Sequence, residues 1–321
     1  MIPEEWLLDA EKRLSGWVID TPVTYDPELN VYLKWENQQR TGSFKIRGAV
    51  NKVLSLQDWE RAKGLVAASA GNHGQGVALA ARELNLSATI FASEHASEMK
   101  LAAMRAMGAS IRLVPGGYAE AEKAGLQYAL ETGAVWVSPY NDGQVIAGQG
   151  TIGLEIMRQI ETMGEIASCV VPVSGGGLIS GIGMAFRSVG FSTKLIGVQT
   201  EAAPYFHALK TTGTQAGVLE TDSIADGLSG EVEANSITIP MVLNLVDEVL
   251  LVSEHSIERA ISYAWFRHKQ VIEGSAAVSL AAVLEGKIQA YPAVLVISGG
   301  NINPDLHRAV VTKNFQDWKS V

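Results

Sequence analysis

The chain has a single cysteine in 321 residues, no lysine- or arginine-rich run, and no apolar stretch that escapes interruption by proline or glycine. Each shortage excludes something. One cysteine, Cys169, can make neither an intramolecular disulfide nor a cysteine-rich zinc site, which fits a reducing cytoplasm. With 25 basic and 34 acidic residues the formal charge is −9. A net acidic chain without basic runs argues against a nucleic-acid partner. The start, Met1-Ile2-Pro3-Glu4-Glu5-Trp6, lacks the basic region and apolar run of a signal peptide. It reads as a helix start, with Pro3 in the first turn and two glutamates favoured by the helix dipole.

Residues 166–186 carry no charge and resemble a membrane span, but Pro172 and Ser174-Gly175-Gly176-Gly177 lie inside them. Lipid cannot satisfy a backbone opened by such residues. The stretch reads better as a buried strand, a glycine turn and a helix, so no membrane partner is expected.

What is present is ample apolar material, 47% against 18% charged, enough for a large core. At roughly 100–200 residues per domain, the length predicts two domains. Short β-branched runs at 64–69, 88–92, 110–114 and 134–137 alternate with helical patterns at 74–84, 98–107 and 118–131. A second series places strands at 168–173, 194–199, 248–252 and 293–297, with helices at 145–161, 178–189, 256–269 and 276–284. Strand–helix alternation implies an α/β fold with mainly parallel sheets covered on both faces. Ligands in such folds gather at the carboxyl ends of strands.

Three loops at such ends stand out. Ser174-Gly175-Gly176-Gly177-Leu178 has more glycine than a turn needs, and amides at a helix start cradle anions. It is neither a P-loop nor a dinucleotide fingerprint, since the spacing and the lysine are missing. Ser69-Ala70-Gly71-Asn72-His73-Gly74 offers small residues and exposed amides suited to a carboxylate, although Asn72 alone is an ordinary cap and His73 alone is more often structural. Thr41-Gly42-Ser43-Phe44-Lys45-Ile46-Arg47 sets Lys45 between apolar neighbours, where burial lowers a lysine pKa and frees the amine as nucleophile or base. A phosphate cradle, a lysine and a carboxylate loop together suggest a phosphorylated aldehyde cofactor held as a Schiff base.

In this order, TGSFKIRGA, SAGNHGQG, SGGGL and ISGGN resemble the β-family, or fold type II, of pyridoxal-phosphate enzymes, and within it the serine/threonine dehydratases and their relative serine racemase. The resemblance covers nearly the whole chain. It implies a two-domain, tryptophan synthase β-like fold: residues 1–56 and 143–321 as the large cofactor-binding domain, 57–142 as the small mobile one. It implies pyridoxal 5′-phosphate bound through Lys45, with Phe44 against its ring, Asn72 at its 3′-oxygen, Gly175, Gly176, Gly177 and Leu178 at its phosphate, and Ser298 facing its ring nitrogen. Where family members often carry a fourth glycine, this chain has Ser174. Ser69, Ala70, Gly71, Asn72 and His73 match the substrate-carboxylate loop. The implied reaction converts L-threonine or L-serine to a 2-oxo acid and ammonia, with Lys45 removing the α-proton. A homodimer or homotetramer is implied as well.

Two alternatives share these motifs. A racemase needs a second proton carrier where this chain has Ala70, and its metal carboxylates would fall near Gln199 and Tyr205, so little racemisation and no metal requirement are expected. Glu201 and Asp222 nearby read as solvated loop charges. A β-replacement synthase shares the lysine and glycine loops but fits the SFKIRGA and SAGNHGQG wording less well. Asp226-Gly227-Leu228-Ser229-Gly230 resembles a family active-site segment whose continuation departs from the threonine-dehydratase wording. Glu273-Gly274-Ser275 reads about equally as a cofactor-facing helix start and as an ordinary cap. The ten glycines of the four motifs, Gly48, Gly74 and Gly76 among them, read as places where backbone approaches cofactor or substrate. With both domains consuming the chain, no C-terminal regulatory domain and no feedback inhibition through one are expected.

Overall fold

The computed structural model describes residues 1–161 and 164–318. The chain opens with α1 (Glu5–Leu14), a hairpin of β1 (Val23–Asp26) and β2 (Val31–Trp35), and the helices α2 (Lys45–Ser55) and α3 (Asp58–Arg61). Then come β3 (Leu65–Ala68), α4 (Asn72–Glu83), β4 (Ala88–Ser93), α5 (Glu98–Ala106), β5 (Ser110–Val114), α6 (Tyr118–Thr132) and β6 (Val135–Trp136). The second half runs α7 (Gly143–Ile160), β7 (Ser168–Pro172), α8 (Gly177–Ser188), β8 (Lys194–Thr200), α9 (Tyr205–Thr212) and α10 (Thr238–Leu245). It closes with β9 (Glu248–Val252), α11 (Glu254–His268), α12 (Gly274–Leu284), β10 (Ala293–Ile297) and α13 (Pro304–Lys313).

Two sheets result. Strands β3 to β6 form a four-stranded parallel sheet in the order β5-β4-β3-β6; the others form a six-stranded sheet, β1-β2-β10-β7-β8-β9. Only the β1–β2 pair in the latter is antiparallel. The central strands read as unbroken apolar runs because helices cover both faces: β10, Ala293 to Ile297, is fully buried. Apolar clusters with α11 and α12 lie on one face of the larger sheet, and clusters with α7 and α8 on the other. Cys169 is buried in β7.

The uncharged stretch resolves as expected into β7, a glycine turn and α8, and among the described residues no helix is long and apolar enough to cross a membrane. Several boundaries differ from the sequence expectation, with α7 and α11 each starting two residues earlier than expected. α1 starts at Glu5, leaving Pro3 outside, its carbonyl accepting from Trp6 N. α4 starts at Asn72 rather than two residues later, because Gly71, at φ −138°, turns the chain directly from β3 into the helix. Asn72 and His73 therefore stand in a first helical turn.

A buried charge cluster fixes α2. Arg47 Nε donates to Glu36 Oε2 at 2.8 Å and Nη1 to Glu155 Oε1 at 2.5 Å; Lys34 Nζ donates to Glu155 Oε2 at 2.7 Å. Two cations and two carboxylates cancel, which makes their burial tolerable. Glycines let the helices on either side of α2 close in: a Cβ on Gly148 of α7 would stand 2.6 Å from Arg47 O, and one on Gly76 of α4 would stand 3.3 Å from the Ile46 backbone.

Candidate active site

Lys45 begins α2 where the loop after β2 meets the end of β10. Phe44 N donates to Ser298 O at 3.0 Å, Gly300 N to Gly42 O at 2.9 Å, and Ser43 forms an isolated bridge with Gly299. The Lys45 amine donates to Pro139 O at 2.9 Å and lies 5.2 Å from the Phe44 ring centre. Desolvation lowers its pKa to about 8 against the opposing pull of Glu273. At neutral pH an appreciable fraction is the free amine.

The glycine loop follows β7. Gly176 caps α8 in the left-handed conformation, φ +81°, and the first amides of α8 have no partner within the helix. A Cβ on Gly175 would stand 2.2 Å from the Tyr140 ring, and one on Gly176 2.9 Å from Phe206, so only glycine fits. Gly177 and Leu178, both buried, form the first turn. Ser174 is half-buried at the mouth of the loop.

From the other sheet, β3 leads into Ser69, Ala70 and Gly71, all partly exposed. Gly71 N donates to Ser69 Oγ at 3.0 Å, and nothing lies within 4 Å of where a Gly71 Cβ would stand. The space in front of this helix start is open. Asn72 Nδ2 donates to Glu273 Oε1 at 2.7 Å, while its Oδ1 accepts from Asn301 Nδ2 at 2.7 Å. One amide hydrogen of Asn72 remains to be offered elsewhere. His73 donates through Nε2 to Val137 O at 2.7 Å, its buried Nδ1 has no partner, and burial with nearby Lys45 pushes its pKa down to about 3. It is a neutral imidazole at any ordinary pH.

Lys45, Phe44, Ser298 and Asn72 are thus brought around one cleft, and Pro139-Tyr140 joins Lys45 to the glycine loop. Two participants were missed by sequence reasoning. Tyr140 walls the glycine loop but lies past the strand expected at 134–137, where no pattern marks it. Asn301 orients Asn72, and the ISGGN motif contained it without a role. Glu273, left undecided, bonds Asn72 from the start of α12, and burial with the charge of Asp226 raises its pKa to about 7. Gly48, Gly74 and Gly76 serve a different purpose from the one expected: a Cβ on each would meet Gln149 at 2.4 Å, Met104 Sδ at 2.4 Å and the Ile46 backbone at 3.3 Å, so they permit helix packing. At the position considered for a racemase metal site, Gln199 Oε1 accepts from His207 N at 2.8 Å.

The residues fit pyridoxal phosphate: a glycine loop whose helix-start amides have no cap from a side chain, a part-neutral amine, and the buried Ser43 hydroxyl without a partner beside the strand end that carries Ser298. Comparison with known proteins agrees. The model of the pyridoxal-phosphate dependent enzyme family matches residues 14–299. An L-threonine ammonia-lyase of Thermotoga maritima is 42% identical over 98% of this chain and 79% of its own length. Maize serine racemase superposes with a TM-score of 0.90 at 31% identity, covering 98% of each chain. Processed threonine deaminase isoform 2 of Solanum lycopersicum gives 0.88 at 32% identity over 96% of this chain and 92% of that one. Motifs, fold and relatives converge: the chain belongs to the pyridoxal-phosphate dependent enzymes, with the fold type II architecture.

Proposed function

We propose that the protein is a pyridoxal-phosphate-dependent ammonia-lyase acting on a β-hydroxy amino acid such as L-threonine or L-serine, giving 2-oxobutanoate or pyruvate and ammonia. The observation that carries this reading is the meeting of a part-neutral Lys45 amine, Asn72, Ser298 and the Gly175–Gly177 cradle in one cleft between the two sheets. The names of the relatives point to the same reaction. When bound, pyridoxal phosphate supplies an aldehyde that captures amino groups and a ring that spreads negative charge away from the α-carbon.

The chain's own residues divide the remaining work. The amides of Gly176, Gly177 and Leu178 would hold the phosphate at the positive end of α8. Phe44 would lie against the ring, and Asn72, oriented by Glu273 and Asn301, would donate to the ring's oxygen. Ser298 would offer the ring nitrogen a hydroxyl rather than a carboxylate, which would disfavour its protonation and suit elimination. Gly71, Asn72 and the neutral His73 place the amides of the α4 start around the substrate carboxylate, and Ser69 holds Gly71 in place. Lys45 takes the α-proton, its ammonium destabilised by burial. Ala70 carries no proton on the substrate loop, so the racemase reading lacks its second carrier.

Residues 57–142 act as the small domain closing on the rest, in a cytoplasmic enzyme that assembles as a dimer or tetramer. Lys45→Ala decides the central claim. The purified wild type is expected to be yellow, to lose the band on borohydride reduction and to release ammonia from threonine or serine. The variant is expected to show neither the band nor measurable release; ammonia release near the wild-type rate would sink the mechanism.

A further inference from the structure

Lys100 lies in the first turn of α5, on the side of the four-stranded sheet, and its Nζ pairs with Asp226 Oδ2 at 2.9 Å. Asp226 opens a short 3-10 turn, Asp226–Leu228, that sits on α12 of the larger sheet. The pair therefore spans the same gap as the Asn72–Glu273 hydrogen bond. The two bridges are joined at both ends. On one side, Met104 Sδ lies 2.4 Å from where a Gly74 Cβ would stand, so α5 rests on the first turn of α4, which carries Asn72 and His73. On the other, Gly227 N donates to Ser275 Oγ at 2.9 Å, and Ile224 O lies 2.2 Å from where a Gly274 Cβ would stand. The turn is seated directly beside Glu273.

We propose that Lys100–Asp226 is a reversible latch across the mouth of the cleft, drawing α5, and with it the 69–73 loop, over the bound amino acid. The proposal rests on the ammonia-lyase reading and makes Lys100 a positioning residue, acting through α4. The side chains keep 20% and 64% of their exposure, so water and salt reach the pair. Ion pairs of this kind shift an equilibrium by roughly fivefold at most. That weakness suits a contact that must open in every turnover, whereas a buried pair would hold the cleft shut.

The test uses holoenzyme. In Lys100→Met, KM for threonine is expected to rise about three- to fivefold while kcat falls by less, with the cofactor band unchanged. Asp226→Asn raises KM to a similar extent although its effect on Glu273 is opposite in sign to that of Lys100→Met, and wild-type KM climbs with ionic strength while that of Lys100→Met stays flat. A readout without turnover accompanies this: L-alanine, which has no leaving group, slows amide hydrogen exchange in α5 and residues 69–76 of the wild type and not of the variant. A wild type that behaves as proposed while Lys100→Met matches it in KM, salt response and exchange overturns the latch alone. A wild type that releases no ammonia and gains no protection removes the ammonia-lyase reading, and the latch with it.

Discussion

Lys45 shows how a single side chain acquires its chemistry from its surroundings. An ordinary lysine titrates near 10.5, but this one is moved to about 8 because burial disfavours its charged form. At pH 7 about one chain in ten then presents a neutral amine, against about one in three thousand for a solvated lysine. Only the neutral amine attacks an aldehyde. Uptake of pyridoxal phosphate by apoprotein is therefore expected to accelerate as pH rises toward 8 and level off above it, whereas capture by a simple primary amine keeps climbing to about 10.5. A rate still climbing steeply at pH 10 would mean that Lys45 is not desolvated. Flanking apolar residues made this lysine visible in the sequence. Glu273 was legible only as a helix start, read equally as cofactor-facing or as a cap, since its pKa near 7 comes from burial and from Asp226, 47 positions upstream, and no local pattern encodes that neighbour.

Among the elements, α2 bears the most constraint. It presents Lys45 at its first residue, is gripped by α4 and α7 through glycines, and is anchored by Arg47 to Glu36 and Glu155. Replacing Arg47 by methionine leaves two buried carboxylates facing one remaining cation, Lys34. Removal of one partner from a buried ionic group costs about 3–5 kcal/mol, so Arg47→Met is expected to lower the denaturant midpoint markedly with little change in slope. A loss below about 1 kcal/mol would show that the cluster reorganises or takes up water. The elements themselves were largely legible: alternation of apolar runs and helical periods located the main strands within one or two residues. The start of α4 was misjudged because glycine and asparagine read as loop, whereas Gly71 turns the chain so abruptly that Asn72 is already helical. The charge cluster escaped notice because its members come from β2, the turn after it, α2 and α7, which only the fold brings together.

For the whole molecule, the arrangement of two sheets matters most. Helix α2 packs Ile46, Ala49, Val50 and Val53 into the apolar core of the smaller sheet, while the contacts around the site are polar: Asn72 with Glu273 and Asn301, Lys100 with Asp226, Arg40 with Glu83. A ligand seated between them stabilises both halves by mass action, worth about 2.7 kcal/mol at a hundredfold excess over Kd. Stripping the cofactor is expected to lower the melting temperature by several degrees. An unchanged melting temperature without cofactor would place its binding energy outside the cleft. The two-sheet plan could be read from the doubled strand–helix series, but the polar seam between the sheets could not.

The lone cysteine has a practical consequence. Cys169 is sealed in a central strand, and burial pushes its thiol far above the ordinary range, so almost none exists as the reactive thiolate. The native chain is in effect silent toward maleimides and nitroxide reagents. Two cysteines introduced on the exposed faces of α5 and α13 would be the reactive thiols among the described residues, with no background to remove. Spin-label or fluorophore distances between them would follow the cleft opening and closing in solution, on an otherwise unaltered protein.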